Sequence, residues 1–484
     1  MRCNELAVVV DEKLVGKWPY RRIFLDAMVV EGSGGLERVF HAARKHPANP
    51  VVVRDKPWEG WGPYLYGTVM WDDGKLKMWY QVINPDPKTH ASMLYAESDD
   101  GIHWVKPKLG IVDYQGSRDN NLLAERELWI PSVMKFVNPE SDEKKWVVYG
   151  WGGEYGPHLA YSPDGLRFRW YEKPEYTKLF SSSDVVNFFY DSYRQRYAST
   201  YKCHSRRHRS VGIALSKDGI SWYKPIEGPI FGADDLDPDA TQVYGMPVFC
   251  YQGCYIGLAW IYHSRWIKYG AYTSPQVMYE AQEGSPCTVD VQLVWSWDLI
   301  NWTRTPERKP FIGLGRENID WDWGMIYTAR APVVIGNELY FYYGGFDRRH
   351  DADFDKVRGA IGIATLRIDG FCSMRAGSQE GWLISRREVF NTPCVTINAR
   401  TESNGYVMAE LVDRYNNVIP GFSRAECIPF VGDSVIHMLR WRTEAFPANM
   451  IDKDKKIKFY LKNADLYSYL PVDINTQIDF PRID

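Results

Sequence analysis

One phrase recurs along this chain, and it limits the fold more than anything else in the sequence. Residues 93–104 read MLYAESDDGIHW, 159–170 read LAYSPDGLRFRW, 212–222 read GIALSKDGISW and 293–302 read LVWSWDLINW. A weaker fifth copy, IGIATLRIDGF, occupies 361–371. Each is a short apolar strand followed by an Asp-Gly or Asp-Leu turn and, in most copies, a closing Trp. Asp accepts hydrogen bonds within its own turn and Gly supplies positive φ, so the chain reverses sharply into an antiparallel neighbour. Internal repetition on this scale marks a repeat architecture. The expectation is five sheet modules.

Each module has the same order: an entering strand, a turn, an aromatic-rich second strand, a loop, then the recurring phrase. The pairs are Tyr64–Trp71 with Lys75–Gln81, Ser132–Val137 with Lys145–Trp151, and Val185–Tyr190 with Arg196–Lys202. Val243–Tyr251 with Cys254–His263 and Met325–Ile335 with Glu338–Gly344 complete the set. Hairpins of this kind repeated about an axis make a β-propeller. The sequence therefore predicts an all-β fold, with a five-bladed β-propeller over residues 51–377. Residues 1–50 are expected to pack on it and to supply a closing strand. After Gly377 the phrase stops, and alternating strands separated by N-G, N-N, P-G and G-D turns predict a small β-sandwich over 378–484.

Net charge is −3, which gives no basic footprint for nucleic acid or an anionic membrane. No apolar run is long enough to span a bilayer, and MRCNELAVVVDEKLVGKW lacks the uninterrupted apolar core of a secretory signal. The expectation is a cytoplasmic protein, with a processed export form as the alternative. The eight cysteines show no CxxC spacing. Cys250 and Cys254 flank a hairpin turn and are read as reduced neighbours. The chain has 20 Trp, 32 Tyr and 20 Phe, content that suits wide sheet packing and also flat surfaces for sugar rings.

In a propeller, the loops entering the innermost strands form the mouth of a funnel, and acids recur at those entries. They are Glu59 between Trp58 and Trp61, Asp184 after Ser183, Asp239 in Asp237-Pro238-Asp239, and Asp322 with Glu317 and Asp320 in ENIDWDWGMIY. Converging carboxylates raise the pKa of some members while others stay ionised, which lets an acid and a base coexist. Two carboxyls about 5–9.5 Å apart are what glycosidic cleavage uses. The plainer reading of any one is a turn cap or a ligand of a structural cation in the channel. Glu59 is the expected base or nucleophile, and Asp322, between Trp321 and Trp323, the expected proton donor. Asp184 and Asp239 would hold hydroxyls and tune the pair. Trp58, Trp61, Trp321, Glu317, Tyr244, His263, Arg348 and His350 are the expected sugar contacts. No cofactor and no catalytic metal are called for: HExxH, a G-x-S-x-G elbow and coenzyme-type glycine loops are all missing.

WEGWGPYLYGTVMWDDGKLKMWYQ, YAESDDGIHWVKP, SDVVNFFYD, DVQLVWSWDLINW and DWGMIY resemble bacterial proteins related to glycoside hydrolase families 32 and 43. The tail, VMAELVDRYNNVIPGFSRAECIPFVGDSV and KIKFYLKNADLYSY, is similar to theirs as well. The resemblance implies a five-bladed propeller carrying a β-sandwich, with activity on furanosides such as fructosyl or arabinosyl units. It also implies a first-blade acid as nucleophile or base, a middle-blade acid that orients, and a further acid as donor. The invertase motifs W-x-N-D-P-N, R-D-P and E-C are not in place; Arg54-Asp55-Lys56 and Glu426-Cys427 lie elsewhere. The turn phrase also resembles the sialidase Asp box, one residue short. The expected partner is a carbohydrate, with oligomer contacts through the sandwich. A non-catalytic sugar-binding propeller, a lyase and a glycosyl transferase are the alternatives.

Overall fold

A computed structural model of the chain describes residues 20–83, 91–123, 129–152, 156–171, 178–205, 208–269, 278–281, 284–391, 393–443 and 445–472. Strands take 52% of the chain and helix 3%, so the fold is all-β, as expected. It divides into two compact units. One spans Ala42–Leu366 and holds the repeats; the other joins the chain up to His41 with the chain from Arg367 through the last described strand.

In the repeat unit the recurring phrase makes one turn over and over. Ser98 Oγ accepts from Gly101 N (2.8 Å), and Asp100 Oδ1 accepts from Ile102 N and His103 N (both 2.8 Å). The closing Trp104 indole then donates to Gly101 O (3.1 Å). The copies at Ser216–Trp222 and Ser296–Trp302 repeat this bond for bond. In the last of these Leu299 occupies the glycine position at φ 71°. At Gly165 the indole comes instead from Trp79 of the preceding repeat (2.7 Å), so the turn phrase also stitches neighbours together. The fifth copy departs from the rest. Asp369 is wholly buried in the other unit, where it accepts from Arg21 Nη2 (2.9 Å) and Ser468 Oγ (2.6 Å).

Two hydrogen-bonded amides make each turn carboxylate a better base-state acceptor, and this shows in its acidity. Burial pushes the Asp164 carboxyl up, but N–H groups of Arg167 and Leu166 outweigh it and pull the group down to about 2. Asp218 and Asp298 are lowered for the same reasons. A folded value below the unfolded 3.8 stabilises the fold above that pH, and the gain is lost as pH falls toward 2. Acid titration followed by circular dichroism should show cooperative unfolding in that window rather than at pH 5.

The first repeat is a three-stranded antiparallel sheet, Pro63–Asp72, Lys75–Ile83 and Ala91–Ser98. The second runs Trp129–Lys135, Trp146–Trp151, Pro157–Ser162 and Arg169–Trp170, and the third Val186–Asp191, Arg196–Ser205, His208–Ser216 and Trp222–Tyr223. Repeats four and five share a ten-stranded sheet, joined where Val289 pairs in parallel with Met325. Apolar cores lie between adjacent sheets. Trp79, Tyr95, Val133, Trp146 and Val148 fill one, and Leu76, Tyr80, Leu94, Val333, Tyr342 and Ile361 another, between the first repeat and the fifth.

Polar bonds link the repeats in succession. Val133 N donates to Thr68 Oγ1 (2.9 Å), Phe188 N to Ser132 Oγ (3.1 Å), and Thr200 Oγ1 to Met246 O. Trp260 Nε1 donates to Thr328 Oγ1 (3.2 Å), and Arg330 N returns to Gly67 O of the first repeat (3.1 Å). Gly67 has to be glycine: a Cβ there would sit 1.9 Å from Trp79 O. Gly67→Ala should cost about 1–3 kcal/mol, read as a lowered denaturant midpoint, because backbone rather than a movable side chain must yield.

The expected 1–50 segment does not act as one piece. Arg44–Lys45 pairs with Thr365 and Ala364, and Val52 bridges to Ile361, so this stretch closes the edge of the fifth repeat. Arg22–Ile23, Val30–Gly34 and Glu37–Phe40 pair instead with Asp454–Val472, Gly381–Ser385 and Cys372–Ala376. They belong to the second unit because their partner strands lie there, which also moves its start from 378 to 367. That unit is one hydrogen-bonded system of nine strands. Its spine is Cys394–Asp413 against Asp454–Val472. The turn expected at Asn404-Gly405 is a bulge inside the 20-residue strand: pairing resumes from Thr401 to Tyr406 without reversal. Cys250 lies opposite Tyr255 and Cys254 opposite Tyr251, so the two are a register apart and form no disulfide. Among the described residues, no helix is long and apolar enough to cross a membrane.

Candidate functional site

The most telling group is built around Asp184, where the chain enters the third repeat. Ser183 N bonds to Lys202 O (3.1 Å) and Lys202 N to Val185 O (2.7 Å), which sets Asp184 opposite Lys202. Ser183 Oγ donates to Asp184 Oδ1 (2.9 Å), and the Lys202 ammonium pairs with the same oxygen. The lysine side chain is 4% exposed and the aspartate 50%, so the carboxylate is the wet end of the pair. Burial presses the Asp184 carboxyl upward more than any other single influence, although half of the side chain is exposed. The Lys202 charge, its hydrogen bond and Ser183 outweigh that, and the net shift is down. Asp184 is therefore an anion at neutral pH. For Lys202, burial lowers the pKa and Asp184 only partly restores it.

Aromatic rings line the recess. Lys202 Nζ lies 4.5 Å from the Tyr244 ring centre. Tyr244 is 5.3 Å from Tyr327 and 5.2 Å from His350, centre to centre, and Tyr327 is 4.8 Å from Tyr66. The Arg209 guanidinium sits over both Tyr244 (5.5 Å) and Tyr262 (5.4 Å), and its Nη1 donates to Gln242 Oε1 (2.8 Å). His350 packs on Tyr262 at 4.6 Å. Burial, then Arg209 and Lys202, push the His350 imidazole down to about 4, so it is neutral at pH 7. Burial also raises the phenols of Tyr66, Tyr244 and Tyr327, which remain protonated donors. The first, third, fourth and fifth repeats all contribute.

Asp184, Tyr244 and His350 are thus brought together from among the expected residues, and the others are placed elsewhere. Glu59 is wholly buried, at the end of the turn Pro57–Glu59. Its Oε2 accepts from Asp55 N (2.9 Å) and Lys56 N (3.1 Å), its Oε1 from Tyr80 OH (3.0 Å) and Lys106 Nζ (2.6 Å). Both carboxylate oxygens of the expected base are thus committed to partners inside the protein. Asp322, 2% exposed, is held by Tyr343 OH (2.8 Å) and Lys45 Nζ (2.6 Å). Trp321 stacks on Tyr343 at 5.6 Å and 10°, so the expected donor and its aromatic neighbour both contact the same tyrosine.

The Trp58 indole donates to Asn121 Oδ1 (2.8 Å), and Trp61, half-buried, bonds through its backbone to Ile83 O (3.1 Å). Asp239 is exposed, with no side-chain partner among the described residues. Glu317, also exposed, pairs with Arg349, and Arg348 Nη1 turns back to Asp347 O (2.6 Å). His263 Nε2 pairs with Asp290 Oδ2 at 2.7 Å. Burial lowers the His263 pKa, but that bond and the Asp290 charge raise it more. No group of three metal-ligating side chains occurs among the described residues.

Sequence reasoning passed over Tyr66, Lys202, Arg209, Gln242, Tyr262 and Tyr327. A signal was there: PYLYG, TQVYG and GMIYT carry a Tyr at matching places in three entering strands, followed by Gly in two of them. Lys202 also interrupts a stretch whose other residues are aromatic or small, YASTYKC.

No protein-family model matches the sequence, and no curated protein matches it. Among solved structures the chain is similar to a glycosyl hydrolase from Bacteroides ovatus, at 15% identity over 68% of this chain and 94% of that one, with a TM-score of 0.44. It is similar to an N-acetylgalactosamine deacetylase from F. plautii at 16% identity, covering 70% and 97%, with a TM-score of 0.40. A third is an α-L-arabinofuranosidase from Podospora anserina, at 10% identity over 67% and 97%, with a TM-score of 0.43.

Proposed function

We propose that the chain is a glycoside-cleaving enzyme whose repeats form a five-bladed β-propeller, with Asp184 as the carboxylate at the reacting end of the central recess. The observation that carries this reading is the pair Asp184–Lys202: an ionised, half-open carboxylate held by a buried ammonium among aromatic rings. Sugar C–H faces pack on such rings, while protonated phenols and a neutral imidazole donate to hydroxyls. The chain of bonds from Thr68 around to Arg330 and back to Gly67 supports the closed five-fold arrangement. The likeness of its motifs to families 32 and 43 points to removal of a terminal furanoside or other less common sugar. Below its pKa Asp184 would lose the charge that lets it act as a base or nucleophile.

A second reading is a sugar-binding propeller without turnover. It draws on one observation: the other described carboxylate acting on His350, that of Asp351, is taken by Arg265 (3.2 Å), whereas glycosidic cleavage ordinarily uses two available carboxyls. A screen of aryl glycosides and oligosaccharides, scored for released sugar, decides between them. Release supports the enzyme; binding with no release supports the second reading. An unsaturated product absorbing in the near ultraviolet would instead make it a lyase, and products longer than the substrate a transferase.

A further inference from the structure

Arg209 is the group in the recess that the reading above leaves without a task. A half-buried guanidinium is ordinarily paired with a carboxylate, since removing a charge from water is costly. Among the described residues none pairs with it; its side chain bonds only to the neutral Gln242 (2.8 Å). Both of its aromatic supports, Tyr244 and Tyr262, hold the plane of the guanidinium in place, so its remaining N–H groups are preorganised rather than floppy. The charges around it do not cancel. Asp184 and Lys202 neutralise each other, Arg265 is taken by Asp351 (3.2 Å), and His350 is neutral above about pH 4. Among the described residues one positive charge is left over, held against the rings of Tyr244 and Tyr262.

We propose that Arg209, with His350 at its side, receives the carboxylate of an acidic sugar, so that the substrate is a glycoside containing a uronic acid. This rests on the reading of the recess as a sugar site. Arg presents parallel N–H donors that match the two oxygens of a carboxylate, and neutral imidazole adds one more donor or acceptor without adding charge. Tyr244 touches both cations, at 4.5 Å from Lys202 and 5.5 Å from Arg209. A sugar ring seated between the two cations would present its acidic edge to Arg209 while its other edge faced Asp184. Bound in this way, the ligand also supplies the missing negative charge.

The test is calorimetric binding of D-glucuronate and D-galacturonate against D-glucose, D-galactose and inorganic phosphate, with the wild-type chain, Arg209→Gln and Arg209→Lys. Each acidic sugar should bind about tenfold or more tighter than its neutral counterpart, the scale of a charged hydrogen-bonded pair. Arg209→Gln should erase that preference, and Arg209→Lys should retain part of it. Equal binding of acidic and neutral sugars by the wild type would overturn the proposal, as would a preference that survives in Arg209→Gln. Phosphate binding tighter than either uronate would overturn it too, by making the guest a free anion. If Arg209→Gln does not fold, the wild-type comparison and Arg209→Lys decide. Acidic preference with no glycoside turned over would sink the catalytic reading alone; turnover of neutral glycosides without acidic preference would sink this one alone.

Discussion

Asp184→Asn should reduce turnover by ~10²-fold or more, the usual scale for a lost acid–base or nucleophilic group, with the fold intact. The amide keeps the shape and a hydrogen bond to Lys202 but removes the charge. Lys202 would then be a buried ammonium without its anion, and burial, already the largest influence on it, would pull its pKa lower still. A modest fall in melting temperature should accompany the loss of rate. In the wild type, the acid limb of kcat/KM should lie at or below about pH 4. Asp184 is depressed below 3.8, so its charge persists until then, and His350 gains a proton near the same pH. A limb near pH 6 would assign the chemistry to some other group.

Glu59→Ala should behave in the opposite way, with little to do with chemistry and much to do with stability. Leaving buried donors without an acceptor costs roughly 1–3 kcal/mol. Here the Asp55 and Lys56 N–H groups and Tyr80 OH would lose theirs, while Lys106 would keep Asp55 Oδ1 and Val53 O (2.9 Å) as its remaining partners. Glu59→Gln should lose less, since its amide oxygen can still accept. Chemical denaturation of both variants measures this directly. A Glu59→Gln chain as stable as the wild type yet inactive would show that the recess at Asp184 is not where the reaction happens.

Much of the architecture was legible because it is written in local chemistry. Ser, Asp, Gly and Trp at fixed offsets make the same turn at Asp100, Asp218 and Asp298, and no distant contact is needed to form it. Asp369 shows the limit of that logic, for its side chain is claimed by Arg21 from the far end of the chain. The acids were harder to read for the same reason. An entry Asp or Glu looks alike in sequence whether it stays half open while paired with a lysine of its own repeat, as Asp184 is with Lys202, or is enclosed with a lysine from elsewhere, as Glu59 is with Lys106 and Asp322 with Lys45. Which carboxylates stay available is decided by where the lysines land, and that is a long-range fact. The split of residues 1–50 between two units was unreadable too, since strand alternation does not name the partner strand.

The closure of the last repeat by Arg44–Lys45 and its neighbours has a consequence for biosynthesis. Asn49 donates to the carbonyl of Ile363, 314 residues further on. A ribosome must therefore have made nearly the whole repeat unit before that early strand meets its partner. Until then the nascent chain carries an unsatisfied strand at its front, open to pairing with any other exposed edge. Joining contacts so distant in sequence is slow in its own right. Shielding of residues 44–52 during translation, by a chaperone or simply by slow crowd-free emergence, should govern yield more than the stability of the finished fold does.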